Sequence, residues 1–401
     1  MKKNTLLLLL IAISTTAFSQ KKNHTLSGEL KDAKTGEALV GASVYAEDLK
    51  TGTSTNSYGF YSLNLPIGKY SIVFSYIGYE SIRKMVDLST DQKLKIELKE
   101  SERQLKEVSV TSDKPTAKNV EQNKMSVVKL DIKEVRKIPL LLGEVDIIKA
   151  VQLLPGVQAA GDGSSNLIVR GGNIDHNLVL LDEAVVYNPS HVLGFFSVFN
   201  GDAIKDFEIY KGGIPAQFGG RLASVLDVRM KDGNSKNFSA SGGIGLLSSR
   251  LTLEGPIVKN KSSFMISGRR SYFDLFFPLS SDLDGTTAYF GDLNVKLNYT
   301  LSDKDKVFLS AYYGRDNLGF GGVFGFGWGN FTTTGRWNHL FNSKLFVNTT
   351  VAFSRYDYNF DLNIAKNLNF TRTNFINDLN LKIDGNYFIT PKSSLKFGTK
   401  Q

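Results

Sequence analysis

The sequence contains no cysteine, little histidine and no long apolar run beyond its first residues. With 0 Cys in 401 residues, disulfides, thiolate metal sites and a cysteine nucleophile are excluded. None of the 4 His opens an H-x-x-E or H-E-x-x-H pair, so the helical zinc-ligand pattern is missing. A G-x-S-x-G motif, a P-loop and a complete dinucleotide loop are absent as well. We therefore expect no catalytic residue, no cofactor and no metal, and the chain is predicted not to be an enzyme.

The charge balance and the apolar start of the chain further restrict the class of protein to which it can belong. The formal net charge is +9, but no basic block is interleaved with stacking aromatics, so no nucleic-acid partner is expected. Lys2 and Lys3 precede a short apolar stretch and then small residues near Ala17, which predicts a secretory signal peptide over residues 1–19. The 27 Phe, 16 Tyr and 37 Gly suit a β-barrel, whose strands alternate lipid-facing and lumen-facing side chains.

Residues 24–100 show short strand-forming runs separated by turn residues, which predicts a β-sandwich of about seven strands. Five motifs occur there in order: Leu26-Ser27-Gly28, Gly41-Ala42-Ser43-Val44, Thr55-Asn56-Ser57-Tyr58-Gly59-Phe60, Leu65-Pro66-Ile67-Gly68-Lys69-Tyr70 and Gly78-Tyr79. In these motifs the segment resembles the carboxypeptidase-regulatory-like (transthyretin-like) domain. Peptidase activity does not follow, because the zinc-ligand spacing is missing.

Residues 101–123 are rich in Lys, Glu, Ser and Gln and are predicted to form an exposed linker. A strand-forming pentapeptide interrupts this linker: Glu107, Val108, Ser109, Val110 and Thr111. An extended segment with unpaired backbone groups can add a strand to the sheet edge of another protein. Alternatively, the pentapeptide is the terminal strand of the preceding sandwich.

Residues 124–234 carry the most informative motifs of the chain. A helical stretch with regularly spaced apolar residues ends at Pro155-Gly156. Four segments follow: Leu167-Ile168-Val169-Arg170-Gly171-Gly172, Leu178-Val179-Leu180-Leu181-Asp182-Glu183, Asp202-Ala203-Ile204-Lys205-Asp206-Phe207-Glu208-Ile209-Tyr210-Lys211-Gly212-Gly213 and Ala216-Gln217-Phe218-Gly219-Gly220-Arg221. This array closely resembles the plug domain of TonB-dependent outer-membrane receptors. The plug motif residues are Arg170, Gly171, Gly172, Asp182, Lys211, Gly212, Gly213, Gly219, Gly220 and Arg221. The family usually has Gly after the Asp, where this chain has Glu183.

The glycine pairs and the arginines of this segment are what a plug domain would need. The three glycine pairs permit positive φ where a small unit must turn tightly inside a cylinder. Arg170, Arg221 and Arg229 could pair with carboxylates on a barrel's inner wall, because guanidinium suits semi-buried ion pairs. Alternatively, each of them is a surface arginine.

Residues 235–401 are predicted to form the first strands of an antiparallel transmembrane β-barrel, because polar and apolar side chains alternate along them. Short polar turns are predicted at 260–261, 302–303, 342–343 and 391–392. Two strands of about ten residues fill only part of each interval between these turns, so each repeat is expected to hold one long loop as well. The aromatic segment 314–330 is one such loop, which either stacks a flat or carbohydrate-like ligand or packs on its neighbours.

The predicted fold class is therefore mainly β, with a sandwich, an α+β plug and an incomplete barrel. A plugged barrel needs about 22 strands, whereas residues 235–401 can supply about eight or nine. The chain is expected to be the N-terminal part of a longer receptor.

The resemblance implies an importer in the outer membrane of a Gram-negative bacterium, with the plug and the N-terminal domain on the periplasmic side. Its expected partners are outer-membrane lipid and the TonB C-terminal domain with its inner-membrane motor proteins. TonB is expected to pair with residues 107–111, and the force that it transmits is expected to displace the plug. A scarce small-molecule, glycan or peptide ligand and a surface lipoprotein are further expected partners, and the ligand-binding residues are not identified. The alternative is a surface receptor or adhesion platform that does not transport.

Overall fold

The computed structural model describes residues 23–101, 126–138, 144–161, 164–277, 285–365, 368–391 and 393–401. Over these residues the chain is mainly β, as predicted. Among them, no helix has the length and apolar character needed to cross a bilayer. The predicted signal peptide at 1–19 and the strand-forming segment at 107–111 lie outside the described residues.

The N-terminal sandwich has seven strands in two sheets, as the sequence predicted. The strands are β1 (Asn23–Asp32), β2 (Ser43–Ala46), β3 (Thr51–Ser54), β4 (Phe60–Pro66), β5 (Lys69–Ser75), β6 (Ile82–Asp87) and β7 (Gln92–Leu98). One sheet has the order β4-β1-β7 and the other β3-β2-β5-β6. Tyr70, Ile72 and Phe74 alternate with more exposed residues along β5, so one face of this strand fills the core.

In its described residues the plug is built on a five-stranded sheet with two helices. The strands are β8 (Val127–Asp131), β9 (Val157–Ala159), β10 (Leu167–Val169), β11 (Asn177–Leu181), β12 (Ala184–Val185), β13 (Ser190–His191), β14 (Phe196–Ser197), β15 (Ile204–Tyr210) and β16 (Ser224–Met230). The helices are α1 (Ile132–Val135) and α2 (Ile147–Gln152), and 3₁₀ turns occupy Ile174–His176 and Val192–Gly194. The main sheet has the order β12-β11-β16-β15-β8, and β9-β10 and β13-β14 form two small pairs.

Helix α2 is the helix that the sequence predicted, and its ends have clear causes. The Asp146 carboxylate caps its N-terminus by accepting from the backbone N–H groups of Ile148 and Lys149. The helix ends at Gln152 with Leu153 as its C-cap, and the chain then turns at Pro155-Gly156, where Gly156 has φ of +78°. The helix packs its apolar face on the plug sheet, where Phe207 of β15 is fully buried.

The third unit is a nine-stranded antiparallel sheet, which we call the barrel wall. Its strands are β17 (Ser239–Ile244), β18 (Ser248–Val258), β19 (Ser262–Ser271), β20 (Thr287–Thr300), β21 (Asp305–Phe320), β22 (Phe324–Leu340), β23 (Leu345–Ala365), β24 (Leu368–Thr390) and β25 (Ser393–Lys400), with a 3₁₀ turn at Phe273–Leu275 between β19 and β20. They lie in sequence order, so consecutive strands pair as hairpins. In the described part of the chain the sheet is open, with β17 and β25 at its edges.

The prediction of one long loop in every repeat is wrong for the intervals 302–342 and 342–391, whereas in the interval 260–302 residues 272–286 do separate β19 from β20. The strands account for the missing length, because β21, β22, β23 and β24 have 16, 17, 21 and 23 residues rather than about ten. The segment 314–330 is accordingly a hairpin of two paired strands that turns at 321–323, not a loop. Gly321 and Gly322 have φ of +56° and +67°, and this tight turn was hidden in a glycine-rich run.

Candidate functional site

A strained two-residue turn joins β11 to β12. Leu181 pairs with Ala184, and the two residues between them, Asp182 and Glu183, have φ of +46° and +74°. Positive φ at both central positions defines a type I′ turn, which favours Gly at the second position. Glu183 occupies that position, where a positive φ strains the backbone of any residue with a side chain. Its carboxylate faces the barrel wall.

Cations of the barrel wall meet both carboxylates of this turn. Lys296 Nζ of β20 lies 2.9 Å from Asp182 Oδ2. Arg336 Nε of β22 and Lys382 Nζ of β24 lie 3.3 and 3.2 Å from the two oxygens of Glu183. The turn is thus held by three cations from three alternate strands of the wall.

A second set of ion pairs joins the plug to the first wall strands. Arg269 is buried on β19, where its guanidinium lies 2.6 Å from Asp292 and 3.5 Å from Glu144 of the plug and donates to the Ser197 carbonyl at 2.8 Å. On β18, Arg250 Nε donates to Asp202 Oδ2 at 2.7 Å. Each guanidinium faces a carboxylate because a buried charge without a partner is costly.

His191 is a buried plug histidine between two wall carboxylates. Its Nδ1 lies 2.6 Å from Asp316 Oδ2, and its Nε2 lies 3.4 Å from Asp292 Oδ2. The ring stacks on Phe290 with centroids 4.3 Å apart. Burial lowers the pKa of His191, but the Asp316 and Asp292 carboxylates outweigh it, so the pKa is raised above its ordinary value.

Apart from His191, these contacts place carboxylates on the plug and cations on the wall, which is the reverse of the prediction. Arg229 pairs with Asp206 at 2.5 Å and Glu208 at 3.1 Å, both on the neighbouring plug strand, so the predicted pairing with the wall is wrong for this residue. Arg170 donates to the Ser126 hydroxyl at 2.9 Å, and Arg221 donates to the carbonyl of its own neighbour, Gly220.

Comparison with known protein families assigns two segments of the chain. Residues 26–110 match the CarboxypepD_reg-like domain, and residues 133–225 match the TonB-dependent Receptor Plug Domain. The chain contains a TonB-dependent receptor plug. Because this family and fold are those of receptors and transporters, the chain is not an enzyme, as predicted. A search of curated proteins finds no match.

Solved structures of siderophore and ferric-catecholate receptors share the fold at low sequence identity. The siderophore receptor PirA from Acinetobacter baumannii is 16% identical, with a TM-score of 0.52 over 71% of this chain and 48% of its own. A variant of the ferric enterobactin receptor PfeA from Pseudomonas aeruginosa is 14% identical, with a TM-score of 0.52 over 71% of this chain and 50% of its own. The ferric-catecholate import receptor Fiu from E. coli K12 is 12% identical, with a TM-score of 0.52 over 70% and 49%. The chain therefore spans about half the length of these receptors.

The plug motif residues do not form one cluster. Arg170 approaches Gly212 so closely that a Cβ there would lie 2.6 Å from its Nη1, and Lys211 Nζ donates to the Pro155 carbonyl at 2.8 Å. Asp182 follows the last residue of β11 at one end of the plug sheet. Lys211, Gly212 and Gly213 follow Tyr210 at the opposite end, where β15 ends and β16 begins. In each glycine pair one member has positive φ, namely Gly171, Gly213 and Gly220. A turn role fits these glycines, and their wider role in the receptor stays a prediction.

The aromatic hairpin 314–330 packs on itself and on the plug. Trp328 is only 2% exposed, and its Nε1 donates to the Ser190 carbonyl of the plug at 3.2 Å. Phe326 lies against it with ring centroids 5.1 Å apart. The packing interpretation of these rings therefore holds for Trp328.

Sequence reasoning missed the wall cations and Glu183 as site residues. A signal for two of them was present, because Lys296 and Lys382 are lone cations among Asp and Asn on the polar face of alternating strands. Arg269 and Arg336 carry no comparable local signal. Their role depends on which plug residue lies opposite, and the long-range register of plug and wall decides that.

Proposed function

We propose that the chain forms part of an outer-membrane TonB-dependent receptor that imports a scarce extracellular ligand into the periplasm by displacement of its plug. The observation that carries this proposal is the plug family match together with the plug's position against the barrel wall. The receptor would bind its ligand from outside the cell, and the TonB C-terminal domain, driven by its motor proteins, would supply the force.

The chemistry of the plug contacts supports a plug that can move. Ion pairs and hydrogen bonds such as Lys296–Asp182 and Arg250–Asp202 bind the plug to the wall. When the two surfaces separate, water can solvate these groups again, and this solvation offsets part of the attraction that is lost. An apolar interface of the same area would not gain such solvation.

Residues 107–111 are the proposed coupling segment. Strand addition to TonB would rely on backbone hydrogen bonds from an extended chain, because such pairing is largely independent of the side chains. Proline removes a backbone donor and fixes φ, so it should break the pairing where most other substitutions do not.

The test measures energised uptake in cells that express the full-length receptor. Ferric enterobactin, the ligand named for PfeA, is the first probe, followed by glycan and peptide probes. Val108→Pro and Val110→Pro should abolish uptake and leave surface binding unchanged, whereas Ser109→Ala, the matched control, should be nearly silent. Collapse of the membrane potential should also stop uptake of any ligand that the receptor imports. Normal uptake in both proline variants would contradict coupling at 107–111, and binding without energised uptake would favour an adhesion platform.

A further inference from the structure

The N-terminal sandwich is not merely tethered to the plug, because one of its loops contacts the plug directly. The loop follows β1, and the Ala38 carbonyl in it accepts from Lys205 Nζ of β15 at 2.6 Å. The Glu37 carboxylate accepts from the backbone N–H of Asp232 at 2.6 Å. Burial raises the pKa of Glu37, and Lys205 and Lys231 oppose that effect. The first contact joins the sandwich to the plug sheet, and the second joins it to the segment in which the plug ends.

The same loop holds the connection between the plug and the barrel wall. The Thr35 carbonyl accepts from both the backbone N–H and the hydroxyl of Ser235, at 2.8 and 3.0 Å. Lys236 Nζ donates to the Ala33 carbonyl at 2.9 Å and pairs with Glu97 at 2.7 Å. Most acceptors here are backbone carbonyls, so the contact depends on the fold of the loop rather than on flexible surface side chains.

A second tip of the sandwich enters the site of the strained turn. The Tyr58 hydroxyl contacts Glu183 at 3.2 Å, and its ring stacks on Phe346 of β23 with centroids 5.2 Å apart. The Arg336 guanidinium lies over the same ring, 5.4 Å from its centroid. Tyr58 therefore touches the plug turn and the wall cation that holds this turn.

At the wall's short turns the sandwich makes one more ion pair. Lys95 Nζ of β7 lies 2.8 Å from Asp303, in the turn between β20 and β21. A small cleft of about 30 Å³ at the junction is lined by all three units, including Tyr58 of the sandwich, Asp182 of the plug and Lys296 of the wall. The sandwich, plug and wall thus converge on one place, the Asp182–Glu183 turn.

We infer that the N-terminal sandwich is a docked brace, which holds the plug in its seat at the Asp182–Glu183 turn and must undock before the plug can leave. The docked arrangement stands on the contacts alone. The undocking step rests on the proposed import function, and the experiment separates the two.

The test is a reversible cross-link between the sandwich and the plug-to-wall connection. The chain has 0 Cys, so an introduced pair is unique in these residues. A Cβ at Gly36 would lie 3.5 Å from Ser235 Cβ, which is within the range of about 3.5–4.5 Å that a disulfide needs. In the full-length receptor in outer-membrane vesicles, Gly36→Cys with Ser235→Cys should oxidise readily and completely.

The matched control is Gly78→Cys with Ser235→Cys. Gly36 and Gly78 have nearly the same φ, +78° and +81°, so both substitutions impose similar backbone strain. A Cβ at Gly78 has no neighbour within 4 Å, and this pair should stay reduced. Tyr58→Ala in the cross-linking background should slow oxidation, because it removes the stack on Phe346 and the contact with Glu183.

Each outcome decides one part of the inference. A Gly36–Ser235 pair that stays reduced, or that oxidises no faster than the Gly78 control, overturns the docking. If the pair oxidises, uptake of the probe, ferric enterobactin first, should be lost in the oxidised receptor and should recover on reduction. Binding of the same probe at the cell surface should not change. Unchanged uptake in the oxidised receptor overturns the brace. A wild-type receptor without energised uptake contradicts the proposed function instead, and the oxidation rates still decide the docking.

Discussion

His191 Nδ1 of the plug lies 2.6 Å from the Asp316 carboxylate of β21, so the strength of this buried contact between plug and wall depends on pH. Asp292 lies on the other side of the ring, where it also pairs with Arg269, and the Tyr312 hydroxyl lies 3.4 Å from His191 Nε2. The pKa of His191 is raised in the folded receptor, since the two carboxylates outweigh the effect of burial. This contribution to stability is therefore complete below the ordinary pKa and is lost as the pH rises through the raised pKa.

We accordingly expect the plug to unfold at lower urea concentration at about pH 8.5 than at about pH 5.5, across the range where histidine titrates. His191→Gln should flatten this dependence, since glutamine carries no titrating charge. His176→Gln is the control on the plug, because the His176 ring instead contacts the backbone N–H of Asn173. Equal pH slopes for the wild type and His191→Gln would contradict the role of His191.

Arg269 offers a sharper test of the buried ion pairs. Arg269→Ala leaves Asp292 and Glu144 without their shared cation, and loss of one partner from a buried pair costs about 3–5 kcal/mol. Arg270→Ala is the matched control, because the Arg270 side chain is 52% exposed and its contacts are an ion pair with Asp274 and a ring contact with Tyr289. That change should stay within about 0.5 kcal/mol. The free energies of unfolding of the two variants are measured by urea titration of the receptor, and the Arg269 variant should be the less stable one. Equal values would contradict the assignment of Arg269 to a stabilising buried ion pair.

The sequence predicted local features well and relationships between distant segments poorly. Alternation along Asp292–Tyr299 is a local pattern with a period of two, so it revealed the wall strands and which of their faces is polar. Strand length was missed because only polar turns such as Ser302-Asp303 stand out, while the turn at Gly321-Gly322 lies within a glycine-rich run. The distribution of charge between plug and wall was also missed. It depends on the register of two separate sheets, on which no local pattern bears.

Glu183 tests whether the strained turn is retained for its carboxylate. Glu183→Gly relieves a positive φ but removes the partner of Arg336 and Lys382. Glu183→Gln removes the same charge and keeps the strain. Both variants should be less stable than the wild type, and the glycine variant should be the better of the two by about 1 kcal/mol, the usual cost of such backbone strain. The urea midpoint of plug unfolding checks this, and a glutamine variant as stable as the wild type would show that the carboxylate charge contributes nothing.

The sandwich should fold by itself, because it has its own core. Sixteen buried residues belong to that core, among them Leu26, Leu63 and Phe74. An isolated segment of residues 24–100 should show one cooperative thermal transition, although its docking contacts are gone. If no such transition appears, the predicted boundary at residue 100 is wrong.

Two identical substitutions test the core of that isolated sandwich. Ile72 is fully buried on β5, whereas Ile77 is 82% exposed. Ile72→Val deletes one buried methylene group and should cost about 0.5–1.5 kcal/mol through lost transfer free energy and a small cavity. Ile77→Val makes the same chemical change in water and should stay within about 0.5 kcal/mol. Urea unfolding followed by circular dichroism measures both values, and an Ile72→Val cost no larger than that of Ile77→Val would mean that the isolated segment does not keep the packed core it has beside the plug.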